Sequence, residues 1–172
     1  MEKSLSQQVA EIGAGLKFED LPERVVNNSK MFIMDLLGNI IASRHVESSE
    51  IVLKTAQELG GKEQSTVIGC NYKTSAQMAA LVNGTFGHAF DMDDDHRYGT
   101  QHSSVVVFPA ILSLAEQYGK SGKDVITAFA YGSEITIRLG EAFEGQTYYQ
   151  GFHPPAPAVY SVLPAVRRSC SV

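Results

Sequence analysis

The residues best suited to chemistry lie together between His88 and His102. These fifteen residues hold four carboxylates (Asp91, Asp93, Asp94, Asp95), three imidazoles (His88, His96, His102) and one guanidinium, Arg97. A histidine beside a carboxylate is the usual proton carrier near neutral pH, because its ordinary pKa of about 6.5 lies closest to it. In that reading Asp91 orients His102 or holds a substrate hydroxyl, while His102 moves the proton. A second reading is metal binding, since Asp91, Asp93 and Asp95 alternate as hard oxygen ligands might, with His96 or His102 able to join. The calcium-loop pattern fails, because the sixth and twelfth positions counted from Asp91 hold His96 and His102 in place of Gly and Glu. A solvated acidic loop is the plain third reading. Further on, Gly151-Phe152-His153-Pro154-Pro155 offers another histidine, stiffened by the prolines that follow it.

Helices must position these groups. From Leu21 to Ala42, apolar residues fall at Leu21, Val25, Val26, Phe32, Ile33, Leu36, Leu37, Ile40 and Ile41, the three-and-four spacing of one helical face. Asp20 is the expected N-cap and Pro22 suits the first turn. A helix is expected over 49–59, stopped by Gly60-Gly61, then an extended piece over 65–69 and a turn at Asn71-Tyr72. Thr74-Ser75-Ala76-Gln77 reads as a capping box opening a helix that runs to Phe90. Its small residues Ala76, Ala80, Gly84 and Gly87 would let a neighbouring backbone come close. Residues 103–118 read as one helix kinked at Pro109, with a strand at Val105–Phe108 followed by a helix as the alternative, and 123–140 as another helix, started at Ser121. The acidic cluster thus begins at a helix C-terminus. That end carries partial negative charge and disfavours carboxylates, so four of them there call for a compensating role. The fold class is all-α, with five or six helices.

Composition narrows the function. The chain has 172 residues, 44% hydrophobic and 19% charged. That length can bury roughly 70% of the unfolded surface, enough for one ordinary domain. The formal net charge of −5 disfavours a nucleic-acid binder, which needs clustered cations, and no polybasic stretch suggests an anionic membrane surface. No apolar run reaches 18 residues and the N-terminus lacks a signal-type apolar region, so a cytoplasmic protein is expected. Cys70 and Cys170 are too far apart to suggest a disulfide framework or zinc spacing. Gly13-Ala14-Gly15 does not follow a strand and is no phosphate loop.

Four segments, in order, carry a family resemblance: Asp35-Leu36-Leu37-Gly38; Asn83-Gly84-Thr85-Phe86-Gly87-His88-Ala89-Phe90-Asp91-Met92-Asp93-Asp94; His102-Ser103-Ser104 with the later Ala115-Glu116; and Gly151-Phe152-His153-Pro154. Over residues 4–158 the chain resembles the MmgE/PrpD family, which includes 2-methylcitrate dehydratase, cis-aconitate decarboxylase and iminodisuccinate epimerase. The resemblance implies a multi-helix N-terminal domain, a separate α+β lid domain, homodimers, and no metal or organic cofactor. It implies lyase or isomerase chemistry on a small di- or tricarboxylic acid by proton transfer. Carried over by position, Asp91, His102 and His153 are the catalytic residues. Arg97, as a cation close by in the sequence, and Asp95 are taken as substrate-binding residues beside them. The family often has threonine at Asp95, where a carboxylate would repel an anionic substrate.

Family chains are much longer. Residues 1–158 are therefore expected to be an incomplete helical domain without its lid, and 159–172 a divergent, poorly ordered tail. On that expectation the chain alone turns over weakly or not at all, and the helices near 75–90 and 123–140 stand bare and drive self-association. A non-catalytic helical interaction module stays open beside the enzyme, as does a metal-dependent enzyme built on the aspartates.

Overall fold

The computed structural model describes residues 3–143, 146–149 and 151. His153 and the stretch 159–172 lie outside the described residues. The elements are α1 (Leu5–Gly15), a 3-10 turn (Phe18–Asp20), α2 (Glu23–Ser43), α3 (Glu47–Leu59), β1 (Ser65–Val67), β2 (Tyr72–Thr74), α4 (Ala76–His88), α5 (Ser103–Gln117), α6 (Gly122–Ala142) and the single turn α7 (Gln146–Tyr149). The fold is all-α, as the periodicity implies, with one two-stranded antiparallel hairpin among the described residues. No helix there is long and apolar enough to cross a membrane.

Local chemistry explains where the helices start. Pro22 stands at the N-cap of α2, its carbonyl accepting from the N–H groups of Val25 and Val26. Asp20 does not cap α2: its carboxylate accepts the Lys17 N–H at 2.8 Å and closes the 3-10 turn instead. The cap of α4 is Ser75, which accepts from the Met78 N–H, one residue later than the expected Thr74. Thr74 is otherwise engaged, donating its hydroxyl to the Gly60 carbonyl at 3.2 Å. Ser121 and Asp124 form a full capping box on α6, and Ser4 and Gln7 form one on α1. α1 was not legible as a helix. It docks on α6 through Gly13, which leaves room for the Tyr131 ring, and the Tyr131 hydroxyl donates to the Val9 carbonyl.

α4 is the centre of the packing and lies against α2, α3 and α5. Its Ala79, Val82 and Phe86 are fully buried with Leu36, Ile40, Val107 and Ile111. One face of α4 is thus covered within the domain, and α6 buries Ala128, Phe129 and Tyr131, while Leu81 of α4 stays exposed. Further exposed apolar side chains, Met31, Met34 and Ile41, lie on the outer face of α2. Gly87 shows why small residues are needed on α4: a Cβ there would stand 2.7 Å from Leu36 Cδ1 and 2.9 Å from Val105 Cγ2.

Asn83 ties the hairpin to α4. Its buried side chain accepts the Ile68 N–H at 2.9 Å and donates to the Thr66 carbonyl at 3.0 Å. Replacing Asn83 with alanine leaves both backbone groups without this partner, and each such loss costs about 1 kcal/mol or more. Asn83→Ala is expected to lower stability by about 2 kcal/mol in urea unfolding followed by circular dichroism. No change in the midpoint would show that water replaces the amide at no cost.

Half-buried Cys70 is a free thiol whose pKa burial raises, against a smaller opposing effect of Arg44. It holds less thiolate than an exposed cysteine and is poorly suited to nucleophilic work. The Arg138 guanidinium pairs with Glu134 one turn earlier at 2.7 Å.

Candidate active site

His88 is the last residue of α4 and His102 immediately precedes α5, so the connecting loop 89–102 follows one imidazole and ends on another. The loop is tied down at both ends and in the middle. Asp94 caps α5, accepting from the Ser103 hydroxyl at 2.9 Å and from the Ser104 N–H at 3.2 Å. A carboxylate at a helix N-terminus is favourably placed in the field of the helix. The His96 N–H donates to the Gln101 carbonyl at 2.9 Å, and His96 Nδ1 accepts the Gly99 N–H at 3.1 Å. The Gly99 carbonyl rests directly on Gly140 of α6, where no side chain could stand. Asn39 of α2 donates to Asp35 at 3.3 Å and reaches the Met92 carbonyl at 3.5 Å.

Held this way, the loop gathers His88, Asp91, Asp93 and His102, with one donor atom from each all within 4.8 Å of one another. Asp93 lies innermost, its side chain fully buried. Its Oδ1 lies 2.8 Å from His88 Nδ1, and its Oδ2 lies 3.3 Å from His102 Nδ1. A buried carboxylate needs such partners, since an unpaired one is far too costly. The two rings meet edge to face, with centroids 4.9 Å apart. Asp91 lies on the open side with 76% of its side chain exposed, and its Oδ1 is 3.9 Å from Nε2 of both histidines. It reaches that position because its backbone is left-handed, with φ of 53°, and its N–H donates back to the His88 carbonyl at 3.0 Å. Asp is among the few residues that tolerate this conformation, and such outliers cluster at functional sites.

The site joins Asp91 and His102, as the sequence suggested, and adds His88 and Asp93, whose roles the sequence did not show. Asp95 and Arg97 are exposed on the loop and lie outside the four-residue group. Asp94 and His96, part of the acidic-histidine run, serve the helix cap and the loop. The alternation of Asp91, Asp93 and Asp95 is not the set the fold brings together. The donors that do converge are two imidazoles and two carboxylates, a set that could also take a divalent cation.

The chain also matches known proteins. Residues 7–166 fit the family model for the MmgE/PrpD N-terminal domain. The chain belongs to the MmgE/PrpD family. Its relatives include the cis-aconitate decarboxylase of Homo sapiens, 33% identical over 162 residues, which covers 91% of this chain and 34% of that protein. A cis-aconitate decarboxylase-like protein of Aspergillus oryzae is 32% identical over 137 residues, covering 76% of this chain and 28% of that protein. The cis-aconitate decarboxylase of Aspergillus terreus is 27% identical over 149 residues, covering 84% and 30%. The chain thus spans about a third of the length of these relatives. In this MmgE/PrpD domain, the whole loop 89–102 and both histidines fall inside the matched residues.

Proposed function

We propose that the site performs cofactor-independent lyase or isomerase chemistry on a small di- or tricarboxylic acid, with cis-aconitate the first candidate because three relatives are named for it. The observation that carries the reading is the pair of imidazole Nε2 atoms facing the exposed Asp91 carboxylate at 3.9 Å while Asp93 holds their far sides. His102 Nε2 takes up or delivers the proton next to a substrate carboxylate. Asp91 orients the imidazolium that forms, or holds a substrate hydroxyl, at a distance one water or substrate atom can bridge. Charge developing beside the carboxylate needs preorganised donors, and these two rings supply them once protonated.

His153 joins as a third catalytic residue in this reading, with Arg97 and Asp95 as substrate-binding residues and Arg97 meeting a substrate carboxylate. Two carboxylates face two imidazoles in the cluster, so a tri-anionic acid meets little net positive charge there. Turnover by the chain alone is accordingly slow. The reading includes a cytoplasmic homodimer.

Thermal unfolding at 222 nm, in EDTA, with and without millimolar cis-aconitate, tests this. A ligand that binds only the native state adds roughly 2.7 kcal/mol at about 100 times its Kd. At this chain length that corresponds to a rise in Tm of about 5–10 °C. EDTA alone should change nothing. A Tm indifferent to every di- and tricarboxylate would sink the reading, and a Tm that collapses in EDTA would move it to the metal-dependent alternative, which the four converging donors favour.

A further inference from the structure

We propose that Asp93 is a positioning residue that locks both imidazoles in one tautomer, so that the site presents two basic Nε2 atoms to its open side, from His88 as well as from His102. The inference rests on the proton-transfer reading for its use, but not for its test. An ionised carboxylate only accepts hydrogen bonds, whereas a neutral imidazole has one nitrogen that donates and one that accepts. Asp93 touches Nδ1 of both rings, through Oδ1 to His88 at 2.8 Å and through Oδ2 to His102 at 3.3 Å. Both Nδ1 atoms must therefore carry the proton, because the alternative aims an imidazole lone pair at a carboxylate oxygen.

At His102 the burial makes this sharper. The second contact is close but not aligned as a hydrogen bond, and neither Asp93 Oδ2 nor His102 Nδ1 has another hydrogen-bond partner among the described residues. Among these residues, each buried atom is satisfied by the other. A modest rotation of the His102 ring aligns the pair, as happens to loosely made catalytic hydrogen bonds when substrate closes on a site. With both protons held inward, both Nε2 lone pairs face outward, and Asp91 Oδ1 stands 3.9 Å from each. One carboxylate buried behind two rings thus sets the direction in which both can take up a proton, much as an outer carboxylate fixes the ring of a ligating histidine.

The test is the imidazole 15N spectrum of the chain at about pH 8.5, two units above the ordinary histidine pKa of about 6.5. His88→Gln and His102→Gln assign the signals. Both rings are expected to show a protonated Nδ1 and an unprotonated Nε2. In Asp93→Asn, which keeps the shape, the amide can accept from only one ring and offers its NH₂ to the other, so one histidine should switch to the Nε2–H form. A wild-type spectrum with His102 protonated at Nε2 would overturn the proposal without any variant. Two unchanged tautomers in a folded Asp93→Asn chain would overturn it as well. Neither result depends on whether cis-aconitate binds, so a failure here is separable from a failure of the proposed function.

Discussion

His102→Gln is expected to lower the rate at which the chain consumes cis-aconitate by about 10²- to 10⁴-fold, the usual worth of a positioned general acid or base. Glutamine keeps a similar length and can still hydrogen-bond, so the hole left is small. It cannot carry a proton at neutral pH. The loss should therefore fall on kcat, with KM changing little, which is the pattern of an interaction made mainly in the transition state. His102 is only partly exposed and sits just before α5, but the caps of that helix come from Asp94 rather than from the His102 side chain. Helix content should stay as it is.

His45→Gln is the control. His45 is an exposed histidine between α2 and α3, outside the cluster, and its loss should leave the rate within a factor of two or so of the starting chain. Because turnover by the chain alone is expected to be slow, substrate loss is best followed by 1H spectra at high protein concentration. Equal rates in the two variants would remove His102 from the chemistry.

The fold was legible where burial writes a clear stripe. Leu36 and Ile40 recur at helical spacing and both are fully buried in α2. α1 was not legible because its contact with the body of the domain is a glycine. Leu5 and Ile12 are largely exposed, and Gly13 seats the Tyr131 ring without adding anything to an apolar pattern. The cap of α4 was misplaced by one residue because Thr74 and Ser75 are chemically alike at that position. Only the three-dimensional position of the Gly60 carbonyl decides which hydroxyl is spent elsewhere.

The site divides in the same way. Asp91 and His102 stand out by residue type, while the roles of His88 and Asp93 depend on a reversal of the chain. The left-handed residue at 91 folds the loop back over the last turn of α4, and the Asp94 cap draws the far end of the loop to α5. Nothing in the spacing of residues 88, 93 and 102 announces that one buried carboxylate will face two rings.

Phe86→Ala carries the largest expected loss of stability. Phe86 is fully buried in the cluster with Leu36, Ile40, Val82 and Val105, two residues before His88. Its carbonyl accepts the hydroxyl of buried Ser43, which pins this turn of α4 to the end of α2. Truncating a buried phenylalanine costs about 3–5 kcal/mol, part lost transfer energy and part cavity. At about 2–4 °C per kcal/mol for a chain of this length, Tm should fall by roughly 6–20 °C. Phe86→Leu keeps most of the volume and should cost less than about 1.5 kcal/mol.

The size of the loss decides how the site is held. If His88 depends on the core for its place, the shift in Tm produced by cis-aconitate should shrink in Phe86→Ala and return in Phe86→Leu. An undiminished ligand shift on a destabilised Phe86→Ala chain would mean that the loop, through Asp94 on α5 and Gly99 on α6, holds the cluster without help from the end of α4.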